Sequence, residues 1–91
     1  ILPLNAFTTT SGSATISVNE PDHGRSTSDT VRFRDALNVG GVAAATINSS
    51  SGYTITKVDD NNYTFATGTT SSISESGGGG SASAGPVTVS S

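Results

Sequence analysis

The chain has 91 residues, 32% of them hydrophobic and 12% charged, with a formal net charge of −3; that is room for one small domain, 1–91, built around a thin core. Its four basic residues fall short of the phosphate-neutralising cluster that nucleic-acid binding needs, and no apolar run approaches the roughly 20 residues of a membrane-spanning helix. The lack of cysteine removes disulfides, thiolate chemistry and cysteine-based zinc sites.

Ser and Thr make up a third of the chain, and the helix formers Glu, Lys, Gln and Met are scarce or absent. Threonine favours strands and serine favours turns, so the elements are expected to be short strands. Asn5 to Thr10 reads as the first, anchored by Phe7 and closed by the turn Ser11-Gly12-Ser13. Ala14 to Asn19 alternates, with Ile16 and Val18 inward, until Pro21-Asp22-His23-Gly24 breaks it. A tight turn at Ser26-Thr27-Ser28-Asp29 leads into Thr30 to Arg34, with Val31 and Phe33 inward and Arg32 and Arg34 outward.

Asp35 to Ser51 is the least regular stretch. Val39-Gly40-Gly41-Val42 reads as a loop or bulge, and Ala43 to Asn48 as one helical turn that tucks Ile47 inward. Tyr53 to Val58 and Asn62 to Phe65 then alternate on either side of Asp59-Asp60-Asn61, the pattern of an antiparallel hairpin. Tyr53, Ile55 and Lys57 would share one face of its first strand. Thr67 to Ser76 is polar apart from Ile73, Gly77 to Gly80 is pure glycine, and Ala82 to Val89 is a last strand that Pro86 confines to an edge. Turn signals roughly every 8–12 residues predict an all-β fold, a small antiparallel β-barrel or sandwich of about six short strands. The chain contains no methionine and is expected to be a segment of a longer polypeptide.

Residues with chemical potential are few. His23, the one histidine, lies near Asp22, Ser26 and Asp29, but this grouping is more simply a turn than a nucleophile and its base. Asp59-Asp60-Asn61-Asn62 is oxygen-rich yet lacks the alternating ligands, glycine and distant glutamate of an EF-hand loop; it is expected to be a turn rather than a calcium site. Gly40-Gly41 and Gly77 to Gly80 lack the Lys-Ser/Thr of a phosphate loop and are expected to be structural, held in place rather than a free linker. Asn48-Ser49-Ser50 and Asn62-Tyr63-Thr64 match the N-glycosylation pattern, as chance alone would produce in a chain this rich in Ser and Thr. Arg32 and Arg34 share an outward face, where a solvated edge is favoured over contact with an acidic partner. No catalytic residue, metal site or cofactor is expected.

Taken in order, several segments form a recognisable series. Asn5-Ala6-Phe7-Thr8-Thr9-Thr10-Ser11-Gly12-Ser13 precedes a strand, and His23-Gly24 precedes Ser26-Thr27-Ser28-Asp29-Thr30-Val31-Arg32-Phe33. Val39-Gly40-Gly41-Val42, Tyr53-Thr54-Ile55, Val58-Asp59, Asn62-Tyr63-Thr64-Phe65 and the glycine run follow. The series resembles a β-module of tailed-bacteriophage virion proteins, found in tail, hub and DNA-stabilisation proteins. That module is itself described as similar to the small β-barrel of the first catalytic-cysteine half-domain of ubiquitin-activating enzymes. The resemblance implies a virion structural protein, without catalysis, whose partners are other virion subunits in a homo-oligomeric assembly. A host-surface adhesion module is the alternative, with Tyr53 and Tyr63 as its available sugar-stacking platforms. Where the family has glycine, in a turn of the form Ser-Thr-Gly-Asp, this chain has Ser28, so a different turn type is expected there.

Overall fold

A computed structural model describes residues 2–86. In chain order the elements are β1 (Phe7–Thr9), β2 (Thr15–Asn19), β3 (Thr30–Arg34), α1 (Ala44–Ile47), β4 (Tyr53–Thr54), β5 (Thr56–Asp59), β6 (Asn62–Ala66), β7 (Glu75–Gly77) and β8 (Ser83–Gly85). The strands form two antiparallel sheets, ordered β5-β6-β2-β1-β7 and β4-β3-β8. The sheets do not close on each other, so the expected all-β fold is a sandwich and not a barrel.

Alternation decides which side chains fill the space between the sheets. Phe7, Ile16, Val18, Tyr63 and Phe65 from the larger sheet and Val31 and Phe33 from the smaller are all buried, because successive side chains of a strand point to opposite faces. Phe33 is the hub. Its ring lies 5.2 Å from Phe7, edge to face, 4.9 Å from Phe65 and 6.4 Å from Tyr63, where it stacks. One side chain of β3 thus contacts aromatic rings on β1 and β6, tying the two layers together. Ile47, on the single turn of α1, fills the same core, as its place in the sequence predicts. The outer face of the larger sheet is the opposite in character. Ser76, Thr8, Ser17, Thr64 and Thr56 stand in register across all five strands, a continuous row of hydroxyls with no ionic group in it.

Eight strands stand where about six were expected, for two reasons. The first arm of the expected hairpin is divided at Ile55. Tyr53 pairs with Val31 in the smaller sheet, whereas Thr56 pairs with Thr64 in the larger one. Ile55 belongs to neither: its N–H donates to the Asp29 carbonyl at 2.9 Å and its carbonyl accepts from the Ser28 N–H at 2.9 Å. Lys57 consequently does not share a buried face with Tyr53 and Ile55; it is exposed. Val58 is an extra residue in β5, between the pairs Lys57↔Tyr63 and Asp59↔Asn62, and this bulge leaves it 62% exposed.

The second reason is β7, which alternation does not predict because Glu75-Ser76-Gly77 has no apolar residue. Backbone pairing with β1 holds it, together with the buried Thr9, whose hydroxyl donates to the Ile73 carbonyl at 2.8 Å and accepts from the Glu75 N–H at 3.2 Å. Ile73, the one apolar residue of Thr67 to Ser76, is half exposed. The last strand, β8, lies at the edge beside β3. The expected alternation of Val87 and Val89 lies outside the described residues.

Candidate functional site

The densest polar cluster gathers around the tip of the β5–β6 hairpin. The His23 ring meets Tyr63 edge to face at 5.1 Å. Its Nδ1 accepts the Arg25 N–H at 2.8 Å, so the proton sits on Nε2, which donates to the Asp59 carbonyl at 2.6 Å. Both ring nitrogens are engaged with backbone groups, and neither addresses a serine or a carboxylate. His23 lies between the turns at Pro21-Asp22 and Thr27-Ser28, and its ring bridges the backbones of Arg25 and Asp59.

Arg25 grips Glu20 with two parallel bonds, Nε to Oε1 at 3.0 Å and Nη2 to Oε2 at 3.1 Å, and Nη2 also reaches the Ala84 carbonyl of β8 at 3.3 Å. Tyr63 donates its hydroxyl to Glu20 Oε1 at 2.7 Å. The network joins the end of β2, the turn after it, β6 and the other sheet. The Glu20 hydrogen bond raises the Arg25 pKa above its ordinary value. Burial, and then the bond to Glu20, pushes the Tyr63 phenol far up. Glu20 and Arg25 were not singled out by sequence reasoning. Their opposite charges flank the Pro21 break, but only the fold supplies Tyr63 and Ala84 as third and fourth partners.

The Asp59-Asp60-Asn61 joint is a turn, as expected. Neither Asp60 nor Asn61 takes the positive φ that an I′ hairpin requires. Asp59 organises it instead. Oδ1 accepts the Asn61 N–H at 2.8 Å and Asn62 Nδ2 at 2.9 Å. These bonds, the Asn61 amide first, hold the Asp59 carboxyl below the usual aspartate range. No group of three or more His, Asp or Glu side chains among the described residues is placed to hold a metal ion. The sequon asparagines are similarly engaged. Asn48 bridges the Ala36 backbone through both ends of its amide, at 2.9 and 3.0 Å, and Asn62 bonds Asp59 and Asn19.

The segment from His23 to Asp29 also covers the outer edge of β5. Thr27 Oγ1 accepts the Lys57 N–H at 2.9 Å, and His23 takes the Asp59 carbonyl. An edge strand with its backbone groups occupied is a poor template for a further strand. Within this segment the Asp29 N–H donates to the Ser26 carbonyl at 3.1 Å, and Ser28 has φ 80°, the pattern of a type II turn. The expectation of a different turn type at Ser28 is therefore wrong. The neighbouring bonds to Ile55 hold the backbone in a left-handed conformation that serine, with its Cβ, tolerates poorly.

The glycines are structural. Gly40 and Gly41, at φ 59° and 81°, form a two-residue turn whose flanks Val39 and Val42 exchange hydrogen bonds at 3.1 and 2.8 Å. A Cβ on Gly40 would overlap Thr9, and one on Gly79 would overlap the Pro3 carbonyl oxygen. The run from Gly77 to Gly80 is fastened through Leu37 N–H to the Gly78 carbonyl and Gly79 N–H to the Leu4 carbonyl, at 3.0 and 3.1 Å; it is not a free linker. Beside this region is a shallow depression of about 210 Å³ lined by Asn38, Gly41, Val42 and Ala43. It offers little polar chemistry.

The tyrosines are not open platforms. Tyr63 is fully buried; Tyr53 is half-buried, its ring 4.7 Å from Phe65 and its hydroxyl bonded to the Thr46 carbonyl. On the outer face of β3, Arg34 donates to the Pro86 carbonyl at 2.8 Å. Arg32, opposite Gly85, has a buried Nε without a partner.

No family model and no curated protein sequence matches the chain. Among solved structures, the fold matches a segment of the phage phi92 endosialidase with a TM-score of 0.66 at 20% sequence identity, over 87% of this chain and 11% of that one. This chain is thus similar in fold to a small part of a much longer phage protein. The likeness to the ubiquitin-activating half-domain finds no support in these comparisons.

Proposed function

We propose that this chain is a structural module of a bacteriophage tail-associated protein, located in the virion, packing against neighbouring virion subunits in an oligomeric assembly. The observation that carries the reading is the fold shared with a segment of a phage endosialidase, consistent with the phage-type series of segments in the sequence. The segment matched is a small fraction of that enzyme, and His23 here is engaged on both ring nitrogens by backbone; both support a scaffold role for the module rather than a catalytic one. The covered edge of β5 supports it further, since a part that meets its neighbours through faces and loops must not add strands at random. The glycan-adhesion alternative loses its main support, because neither tyrosine presents an open ring. The test is immunogold electron microscopy of purified particles encoding this sequence, with an antibody against the chain. Label on the tail is the expected result; particles that remain unlabelled both intact and after disruption would refute it.

A further inference from the structure

The basic residues differ in how they are used. Arg25 is paired with Glu20, Lys57 lies 3.4 Å from Asp60, and Arg34 is engaged through the Pro86 carbonyl. The Arg32 side chain makes no hydrogen bond or ion pair among the described residues, and its Nε is buried without an acceptor. It stands on the outer face of the three-stranded sheet, half-buried, with Gly85 directly across on β8. The pairs Thr30↔Thr54 and Arg34↔Ser83 flank it. The cross-strand neighbours Gly85, Thr54 and Ser83 are small, the Arg34 guanidinium shares the face beside Gly85, and no carboxylate belongs to β3, β4 or β8. With Nε covered, the planar guanidinium is left its two terminal nitrogens to offer in parallel to a carboxylate.

We infer that the outer face of the β4-β3-β8 sheet is an interaction surface centred on Arg32, and that its partner is an acidic protein segment presenting Asp or Glu side chains. The inference rests on the virion-module reading for the nature of the partner, and on charge complementarity for its chemistry: the Arg32 side chain is a cation on this face without an acceptor among the described residues. Withdrawing a guanidinium from water is favourable only when its donors are satisfied, so the anchor is expected to be strong for carboxylates and weak for neutral amides.

The test uses the full chain labelled with 15N and titrated with an oligoglutamate peptide, an oligoglutamine peptide and polygalacturonate. Binding is followed through the arginine Nε–Hε signals and the backbone amides of Thr30–Arg34 and Ser83–Gly85. Oligoglutamate is expected to shift Arg32 Nε–Hε and these amides while Arg25 Nε–Hε stays in place. R32Q is expected to weaken that response about tenfold, the loss of one charge-assisted pair. R32K, which keeps the charge without the fork, is expected to fall between. The side chain lies on the outer face, so both variants are expected to keep the wild-type amide spectrum elsewhere. Shifts spread equally over Arg25 and Lys57, an unchanged response in R32Q, or a response to polygalacturonate but not to oligoglutamate would each overturn the inference. None of these outcomes depends on whether antibody label appears on the tail.

Discussion

The hairpin cluster, residues 19–29 with 59–63, and the glycine-rich region around 39–42 and 77–80 fix irregular backbone by opposite means. In the first, side chains do the holding: a bidentate ion pair, a histidine bridging two backbone segments and an aspartate gathering turn donors. In the second, side chains are absent where they would obstruct: Gly79 packs against the Pro3 backbone, and Gly40 and Gly41 against the side chains of Thr9 and Ser72. Many modest bonds tolerate the loss of any one. A site defined by the absence of atoms tolerates no addition, since nearby backbone has nowhere to go.

The sharpest way to break this comparison is to add one methyl group to the glycine region. Gly79→Ala is expected to cost about 3 kcal/mol or more, because the Pro3 carbonyl must move; urea unfolding followed by fluorescence or circular dichroism measures it. A cost below that of the hairpin-cluster variants would remove the distinction. In the hairpin cluster, Glu20→Gln is expected to cost about 1–2 kcal/mol. It weakens charge-assisted bonds that are partly exposed to solvent, and the same unfolding experiment reads the loss.

Smaller effects sharpen the picture. Ser28→Gly is expected to raise stability by about 0.5–1 kcal/mol, relief of the left-handed strain outweighing the added freedom of the unfolded chain; a thermal melt shows the gain as a higher Tm. Asp59 supplies the pH-dependent part. Its folded pKa is depressed, so its contribution is fully present above the ordinary aspartate value of about 3.9 and is lost as pH falls through the lower folded value. Asp59→Asn, which keeps the Oδ1 acceptor, is expected to flatten this acid limb of the stability curve as pH falls below about 3.9. An unchanged limb would assign the dependence to other carboxylates.

Alternation around Ile16 and Val18, around Val31 and Phe33, and around Tyr63 and Phe65 was enough to place β2, β3 and β6 and to choose their buried faces. The period of a strand is local, and hydrophobic burial reads it directly. The same reasoning could not see that the arm before the hairpin changes sheets at Ile55, because a strand's sequence does not record which neighbour accepts its hydrogen bonds. It passed over β7 because a strand held by backbone pairing and one threonine leaves no apolar signature. It recognised the turns at Asp59-Asp60-Asn61 and Ser26 to Asp29 from residue type, but took Ser28 as a reason for a different turn, when contacts to Ile55 impose the left-handed φ regardless.

The candidate site divides in the same way. Without cysteine and with a single histidine, the sequence bounds which reactive groups are present. It does not record which of them meet. Glu20, Arg25, Tyr63 and the Ala84 carbonyl come from four separate places in the chain, and the isolation of Arg32 depends on what stands across from it on β8. The sequence by itself determined the class of fold, the inward faces and the turn chemistry, all of which arise between near neighbours. The tertiary structure alone decided the division into two sheets, the covered edge and the partners of each charge, because those depend on which distant segments pack together.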